Sequence, residues 1–113
     1  MTANEREKID KFINDYRLSK HKIKILNIKR NYILVRDPKG NTVSIDNKID
    51  ELKLIDDTVK ANVNDKYIQV LDIFSVKLDK AMIMLGLSKS SITKLKSKIR
   101  KEFIKVMEIV EAD

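Results

Sequence analysis

The chain contains, at residues 77–105, the stretch KLDKAMIMLGLSKSSITKLKSKIRKEFIK. Its apolar spacing predicts a short helix, a tight turn and a second helix rich in lysine. Gly86 stands where the end of a helix favours a residue that tolerates a left-handed backbone, and Ser88 can then cap the next helix. The pattern is typical of a helix–turn–helix, which places its second helix in the major groove of DNA.

The second helix is predicted to have an apolar face and a basic face. Ile92, Leu95, Ile99 and Phe103 follow each other at steps of three and four residues, as on one side of a helix. Lysine and hydroxyl side chains occupy the other side. The residues expected to contact DNA are Ser88, Lys89, Ser90, Ser91, Thr93, Lys94, Ser97, Lys98, Lys101 and Lys105. The alternative is a helical hairpin in a small bundle, whose lysines form a solvated surface.

The expected DNA contacts divide by position along this helix. Residues 88–91 lie at its start, where free amides and the helix dipole attract a phosphate. Lys94, Ser97 and the nearby serines would reach base edges, where neither residue type discriminates as sharply as Arg or Asn. Lys98, Lys101 and Lys105, further along the helix, would contact the phosphate backbone. A second backbone contact is expected from Lys22, Lys24, Lys29 and Arg30.

Composition favours a small globular protein with a polyanionic partner. The 113 residues, 42% hydrophobic and 36% charged, are enough for one domain with a modest core. The net charge is +7, which favours nucleic acid or an anionic membrane surface. Basic residues concentrate in residues 17–30 and 86–105, with an acidic segment between them. No apolar run is long enough to cross a bilayer and the amino terminus does not resemble a signal peptide, so a cytoplasmic protein outside the membrane is expected.

The amino-terminal part is expected to begin with a helix over about residues 4–18, capped by Thr2 or Asn4. Its pattern favours continuation to about Lys29, although Ile23 and Ile25 also alternate as in a strand. The segment 20–45 could therefore be a helix followed by a hairpin or a three-stranded meander.

A small central β-hairpin is predicted at residues 32–45. The first strand is apolar and β-branched, the turn is DPKGN at residues 37–41, and the second strand alternates. An extended linker between helices is the alternative. Asp46 can then cap an acidic helix over residues 47–63.

The remaining elements complete a tri-helical unit. Asn64 and Asp65 mark a break and a cap, and a short helix is expected over residues 65–74. The fold class predicted is therefore mainly α, with residues 1–64 carrying the first helix, the hairpin and the acidic helix, and residues 65–113 the helix–turn–helix. The two parts are expected to form one compact unit.

The last helix is longer than DNA recognition requires. Its apolar series is nearly three heptads long, and two interpretations of it stay open: packing on the chain's own first helix, or the seam of a homodimer. The residues of that series are Ile92, Leu95, Ile99, Phe103, Val106 and Val110.

Catalysis is poorly supported, and no enzyme activity, cofactor or metal is expected. The only histidine, His21, lies in a lysine-rich run, and the two glycines, Gly40 and Gly86, do not make a phosphate-binding loop. The acid pairs at residues 50–51 and 56–57 are sequence neighbours, which point to different sides of a helix. Cysteine is absent, which excludes disulfides and thiolate chemistry.

The segment from NDKYIQVLDIF to KLDKAMIMLGLSKSSITKLKSKIRKEF resembles the helix–turn–helix of sigma-factor region 4, with MLGLSKSSI at the turn. The chain is more particularly similar to small phage and prophage transcriptional regulators of the ArpU/RinA type. These also begin with a helix like IDKFINDYRLSKHKIKIL. The resemblance implies a regulator that acts at a promoter and contacts RNA polymerase.

These observations favour a sequence-specific DNA-binding transcriptional regulator that reads the major groove of double-stranded DNA with the helix over residues 89–105. Two alternatives stay open. One is an adaptor that binds RNA polymerase or another transcription or replication factor through the acidic helix. The other is an accessory DNA-binding protein of replication or excision.

Overall fold

A computed structural model describes residues 1–112, which are mainly helical and contain no β-strand. The predicted mainly α class is therefore confirmed at that level. The elements are α1 (Ala3–Arg17), α2 (Ser19–Arg36), α3 (Val43–Asn62), α4 (Asp65–Ile68), a 3-10 turn (Leu71–Phe74), α5 (Leu78–Leu85) and α6 (Lys89–Glu111). No helix among the described residues has both the length and the apolar content needed to cross a membrane.

Helix α1 begins as its sequence predicts. The hydroxyl of Thr2 accepts a hydrogen bond from the backbone N–H of Glu5 at 3.2 Å, and the Glu5 carboxylate accepts one from the N–H of Thr2 at 3.4 Å. This reciprocal pair satisfies two amides that would otherwise lack a partner at the helix start. The helix ends at Arg17, close to the predicted end.

The prediction of one continuous helix as far as Lys29 is wrong, because two helices cover this segment. The chain leaves helical geometry at Leu18, whose backbone angles are φ −93° and ψ 0°, and α2 begins immediately afterwards at Ser19. Ser19 is buried at this junction. Helix α2 then runs past Lys29 to Arg36, so the three-stranded meander is also excluded.

The predicted hairpin at residues 32–45 is wrong, because both of its strands are helical. Residues 32–36 form the last turns of α2, and α3 starts at Val43. The DPKGN segment does turn the chain, since the Gly40 N–H donates to the Asp37 carbonyl at 2.8 Å. It connects two helices because the contacts of α2 with α3, among them the Arg30–Asp46 ion pair, override the local strand propensity of residues 32–35.

Asp46 lies inside α3 and does not cap it, contrary to the prediction. Its carboxylate accepts hydrogen bonds from the Thr42 hydroxyl at 2.8 Å and from Arg30 Nε at 2.7 Å. The Thr42 hydroxyl and the Arg30 guanidinium hold the pKa of Asp46 below its usual value. The contact with Arg30 fixes which side of α2 faces α3.

The segment expected as one helix over residues 65–74 is two short pieces. The Asn64 side chain accepts a hydrogen bond from the Lys66 N–H at 2.9 Å, which confirms the predicted break and cap. Helix α4 then ends at Ile68, and the 3-10 turn begins at Leu71. The first element of the predicted tri-helical unit is therefore much shorter than the pattern indicated.

The hydrophobic core is organised around α6. The core joins residues from α1, the end of α3, the 3-10 turn, α5 and α6, so both predicted segments contribute to it. Phe103 is completely buried, with its ring centroid 6.3 Å from that of Phe12 and 5.8 Å from that of Tyr16. Other core residues are Ile9, Ile13, Val59, Val63, Leu71, Ile73, Ala81, Ile92, Ile99 and Val106.

Polar contacts fix α1 against its neighbours. Arg100 of α6 makes a two-pronged ion pair with Asp10 of α1, at 2.7 and 2.9 Å. The Tyr16 hydroxyl donates to Asp56 of α3 at 2.7 Å, and burial together with that carboxylate raises the pKa of Tyr16. These contacts orient α6, and therefore its exposed face, relative to the rest of the chain.

The apolar series of α6 packs within the protomer. Ile92, Ile99, Phe103 and Val106 are all completely buried, against the chain's own helices. Of the two interpretations of this series, the structure therefore favours packing on the first helix. A homodimer remains a prediction, but its seam could not consist of these four side chains.

Candidate nucleic-acid interface

The turn between α5 and α6 has the predicted backbone. Gly86 ends α5 with φ 64° and ψ 34°, in the left-handed region. The Met82 carbonyl accepts hydrogen bonds from the Gly86 N–H and from the Leu87 N–H, the latter at 3.2 Å. This closes the turn within a few residues and places the start of α6 beside the end of α5.

Gly86→Ala should reduce the free energy of unfolding by about 1–2 kcal/mol, because a Cβ is strained in the left-handed region. No neighbouring atom lies within 4 Å of the position of that Cβ, so the expected cost comes from the backbone and not from a clash. Urea unfolding monitored by circular dichroism measures it. Gly86→Asn should cost less, since Asn tolerates this conformation. Equal stability of the wild type and Gly86→Ala would contradict the left-handed turn.

Ser88 caps α6, as predicted. Its hydroxyl accepts a hydrogen bond from the Ser91 N–H at 3.3 Å and lies 3.3 and 3.0 Å from the hydroxyls of Ser90 and Ser91. A shallow surface hollow here is lined by Ser88, Lys89, Ser90, Thr93 and Lys94. The start of a long helix, with its free amides and two nearby ammonium groups, suits an anionic group such as phosphate.

The predicted contact residues lie together on the solvent side of α6. Nine of the ten are exposed: Ser88, Lys89, Ser90, Thr93, Lys94, Ser97, Lys98, Lys101 and Lys105. Ser91 is half-buried. The Thr93 hydroxyl donates to the Lys89 carbonyl at 3.0 Å, so its donor is used within the helix while its oxygen can still accept.

The lysines of this face are free to bind an anion. Among the residues that the structure describes, none of Lys89, Lys94, Lys98, Lys101 or Lys105 has a carboxylate oxygen within 4.0 Å of its ammonium nitrogen. The acids of α6 lie elsewhere, and the half-buried Glu102 accepts a hydrogen bond from the Asn64 N–H at 3.1 Å. The face therefore presents uncompensated positive charge along most of the helix.

The other two cations of α6 have structural contacts. Arg100 is paired with Asp10, and its guanidinium carbon lies 5.5 Å from the centre of the Phe74 ring. The Lys96 ammonium lies 5.6 Å from the same ring. Burial and the neighbouring Arg100 lower the pKa of Lys96. The sequence shows seven cations in this helix, and the structure separates five solvent-facing ones from these two.

Arg6 of α1 extends the basic face, although the sequence alone did not identify it. It lines a small hollow together with Met1, Ser97, Arg100 and Lys101. Arg6 is 95 positions from Lys101 along the chain. Only the packing of α1 on α6 brings the two residues together. The pattern of α1 places Arg6 on its polar side but does not show which helix lies beside it.

The second predicted basic contact lies on α2, which packs on α3 and α1. Arg30 forms an ion pair with Asp46. The Lys22 ammonium nitrogen lies 3.9 Å from a carboxylate oxygen of Asp15, and both side chains are about half exposed. Lys24 and Lys29 are exposed. These residues form a basic surface on a different helix from the α6 face.

No family model, curated protein or solved structure matches the chain. Within residues 1–112, no group of three or more His, Cys, Asp or Glu side chains is arranged to hold a metal ion. His21 is exposed on α2.

Proposed function

We propose that the chain binds double-stranded DNA with the exposed face of α6 and regulates transcription. The observation that supports DNA binding best is the face itself. It consists of five exposed lysines without carboxylate partners among the described residues, on the same helix as an exposed serine cluster at its start. A face of this kind matches the charge and the groove width of duplex DNA.

The proposed docking follows from the position of each group on α6. The start of the helix, with Ser88 and Lys89, contacts a phosphate through its free amides and ammonium group. Lys94 and Ser97 lie on the middle of the exposed face and reach base edges in the major groove. Lys98, Lys101 and Lys105 contact the backbone, with Arg6 beside them. Regulation of transcription, and a contact with RNA polymerase, rest on the resemblance to the ArpU/RinA regulators.

Salt dependence tests the electrostatic part of this proposal. With about five phosphate contacts, the association constant for duplex DNA should fall roughly 500-fold between about 50 and 200 mM salt. Fluorescence anisotropy with a labelled duplex of random sequence measures the slope. Binding that does not change with salt would exclude this interface.

Selection from a random duplex pool tests sequence specificity. The full chain should enrich a recurrent motif, since the proposed docking brings the serines and Lys94 to base edges. Binding without enrichment would favour an accessory DNA-binding protein of replication or excision. Failure to bind any duplex would favour an adaptor, for which the exposed acids of α3 offer a docking surface.

A further inference from the structure

Helix α2 has an apolar side that no other element of the described residues 1–112 covers. Ile25, Ile28, Tyr32 and Val35, here called the outer stripe, are 39%, 61%, 60% and 84% exposed. They follow each other at steps of three, four and three residues, so they lie along one side of the helix. The outer stripe is about 15 Å long, at 1.5 Å per residue.

The other side of α2 is the one that packs on α3. Arg30, which pairs with Asp46 of α3, marks that side. The half-buried residues Ile23, Leu26 and Ile33 lie on the same side as Arg30. The helix is therefore apolar on two opposite sides, and within the described part of the chain only the side with Arg30 packs on another element.

Helix α2 lies outside the main hydrophobic core. Its only buried residue is Ser19, and it contributes no side chain to the main hydrophobic core. A helix of 18 residues with eight large apolar side chains, none of them buried, leaves much of its hydrophobic stabilisation unused. Those side chains are Ile23, Ile25, Leu26, Ile28, Tyr32, Ile33, Leu34 and Val35.

Cations border the outer stripe on both sides. Lys22, Lys29 and Arg36 follow one edge at seven-residue intervals, and Lys24 lies on the other edge. Helix α2 contains no acidic residue. From the neighbouring helix, Asp15 approaches Lys22 at 3.9 Å, and both side chains are about half exposed. The border is thus almost purely positive.

We infer that the outer stripe is a docking surface for an amphipathic helix of another protein, one whose apolar seam is flanked by Asp or Glu. A narrow seam with steps of three and four matches a helix in coiled-coil packing, where the flanking residues select the partner by charge. A second copy of α2 would oppose Lys and Arg with Lys and Arg, which disfavours self-pairing. A lipid surface is favoured by a wider apolar face than this single row of side chains.

A pair of designed helical peptides tests the inference on the full chain. Both peptides carry leucine at the a and d positions of three heptads. One has glutamate at every e and g position and the other has lysine there. The glutamate peptide should bind at least about tenfold more tightly by fluorescence anisotropy, and salt should weaken it. Equal binding of the two peptides, or no binding of the glutamate peptide, would overturn the inference.

Variants locate the surface. Ile28→Ser with Val35→Ser should weaken the glutamate peptide at least about tenfold, because two exposed contact residues are lost. Leu54→Ser, on α3 and 62% exposed, is the matched control and should leave binding unchanged. Lys94→Glu with Lys98→Glu should also leave peptide binding unchanged, so this result is separate from the failure of DNA binding. Circular dichroism should show a native spectrum for each variant.

Two other occupants have distinct signatures, and either would replace the inference. Sedimentation that shows a dimer abolished by Ile28→Ser and Val35→Ser identifies a second copy of the chain. Binding to phosphatidylglycerol vesicles that the same double substitution removes, without selective binding of the glutamate peptide, identifies a lipid surface.

Discussion

The double substitution Lys94→Glu and Lys98→Glu should reduce the affinity for duplex DNA by at least about 100-fold at low salt. Two expected contacts are lost, and two carboxylates are introduced next to the negatively charged duplex. The salt slope should also fall by about one for each lysine that contacts a phosphate. Both side chains are exposed and outside the ion pairs of the described chain, so the stability should change by less than about 0.5 kcal/mol.

The control must separate the position of the charges from their number. Lys53→Glu with Lys66→Glu changes the net charge by the same amount, and both lysines are exposed on helices other than α6. This variant should lose much less affinity than the α6 variant. Equal losses would mean that DNA responds to the overall charge, and the α6 face would no longer be the interface.

The features of this interface that could be predicted from sequence are those that depend on residues close to each other along the chain. The α5–α6 turn needs a glycine in a left-handed backbone and a serine cap, and both are recognisable within a few residues. The exposed and buried sides of α6 follow from steps of three and four residues. Arg6 was missed because its place beside Lys101 depends on how two distant helices pack.

The largest error of the sequence analysis, the hairpin in place of a helix, falls in residues 19–45 for a physical reason. Helix α2 is apolar on two sides, so its residues do not show the single apolar stripe by which an amphipathic helix is recognised. Ile, Tyr and Val at residues 32–35 then favour a strand by local propensity. The packing of α2 on α3, together with the Arg30–Asp46 pair, favours the helix, and Ile33 and Leu34 are half-buried in it. The same two-sided pattern that obscured the helix leaves the outer stripe exposed.

Phe103 connects the fold to the candidate interface, and its truncation should have the largest effect on stability. The ring is completely buried between the aromatic rings of Phe12 and Tyr16 of α1. Phe103→Ala removes these contacts and leaves a cavity, at a cost of about 3–5 kcal/mol. For a domain of this size the melting temperature should fall by about 12–20 °C, since each kcal/mol lowers it by roughly 4 °C.

Ile109→Ala is the matched control, because it shortens an apolar side chain of the same helix that is 51% exposed. Its melting temperature should stay close to that of the wild type, since little buried surface is lost and alanine favours a helix. Thermal scans by circular dichroism at 222 nm compare the variants. If Phe103→Ala melted like Ile109→Ala, α6 could not be anchored on α1 through this ring. The orientation of the lysine face, which depends on that anchor, would then have to be assigned again.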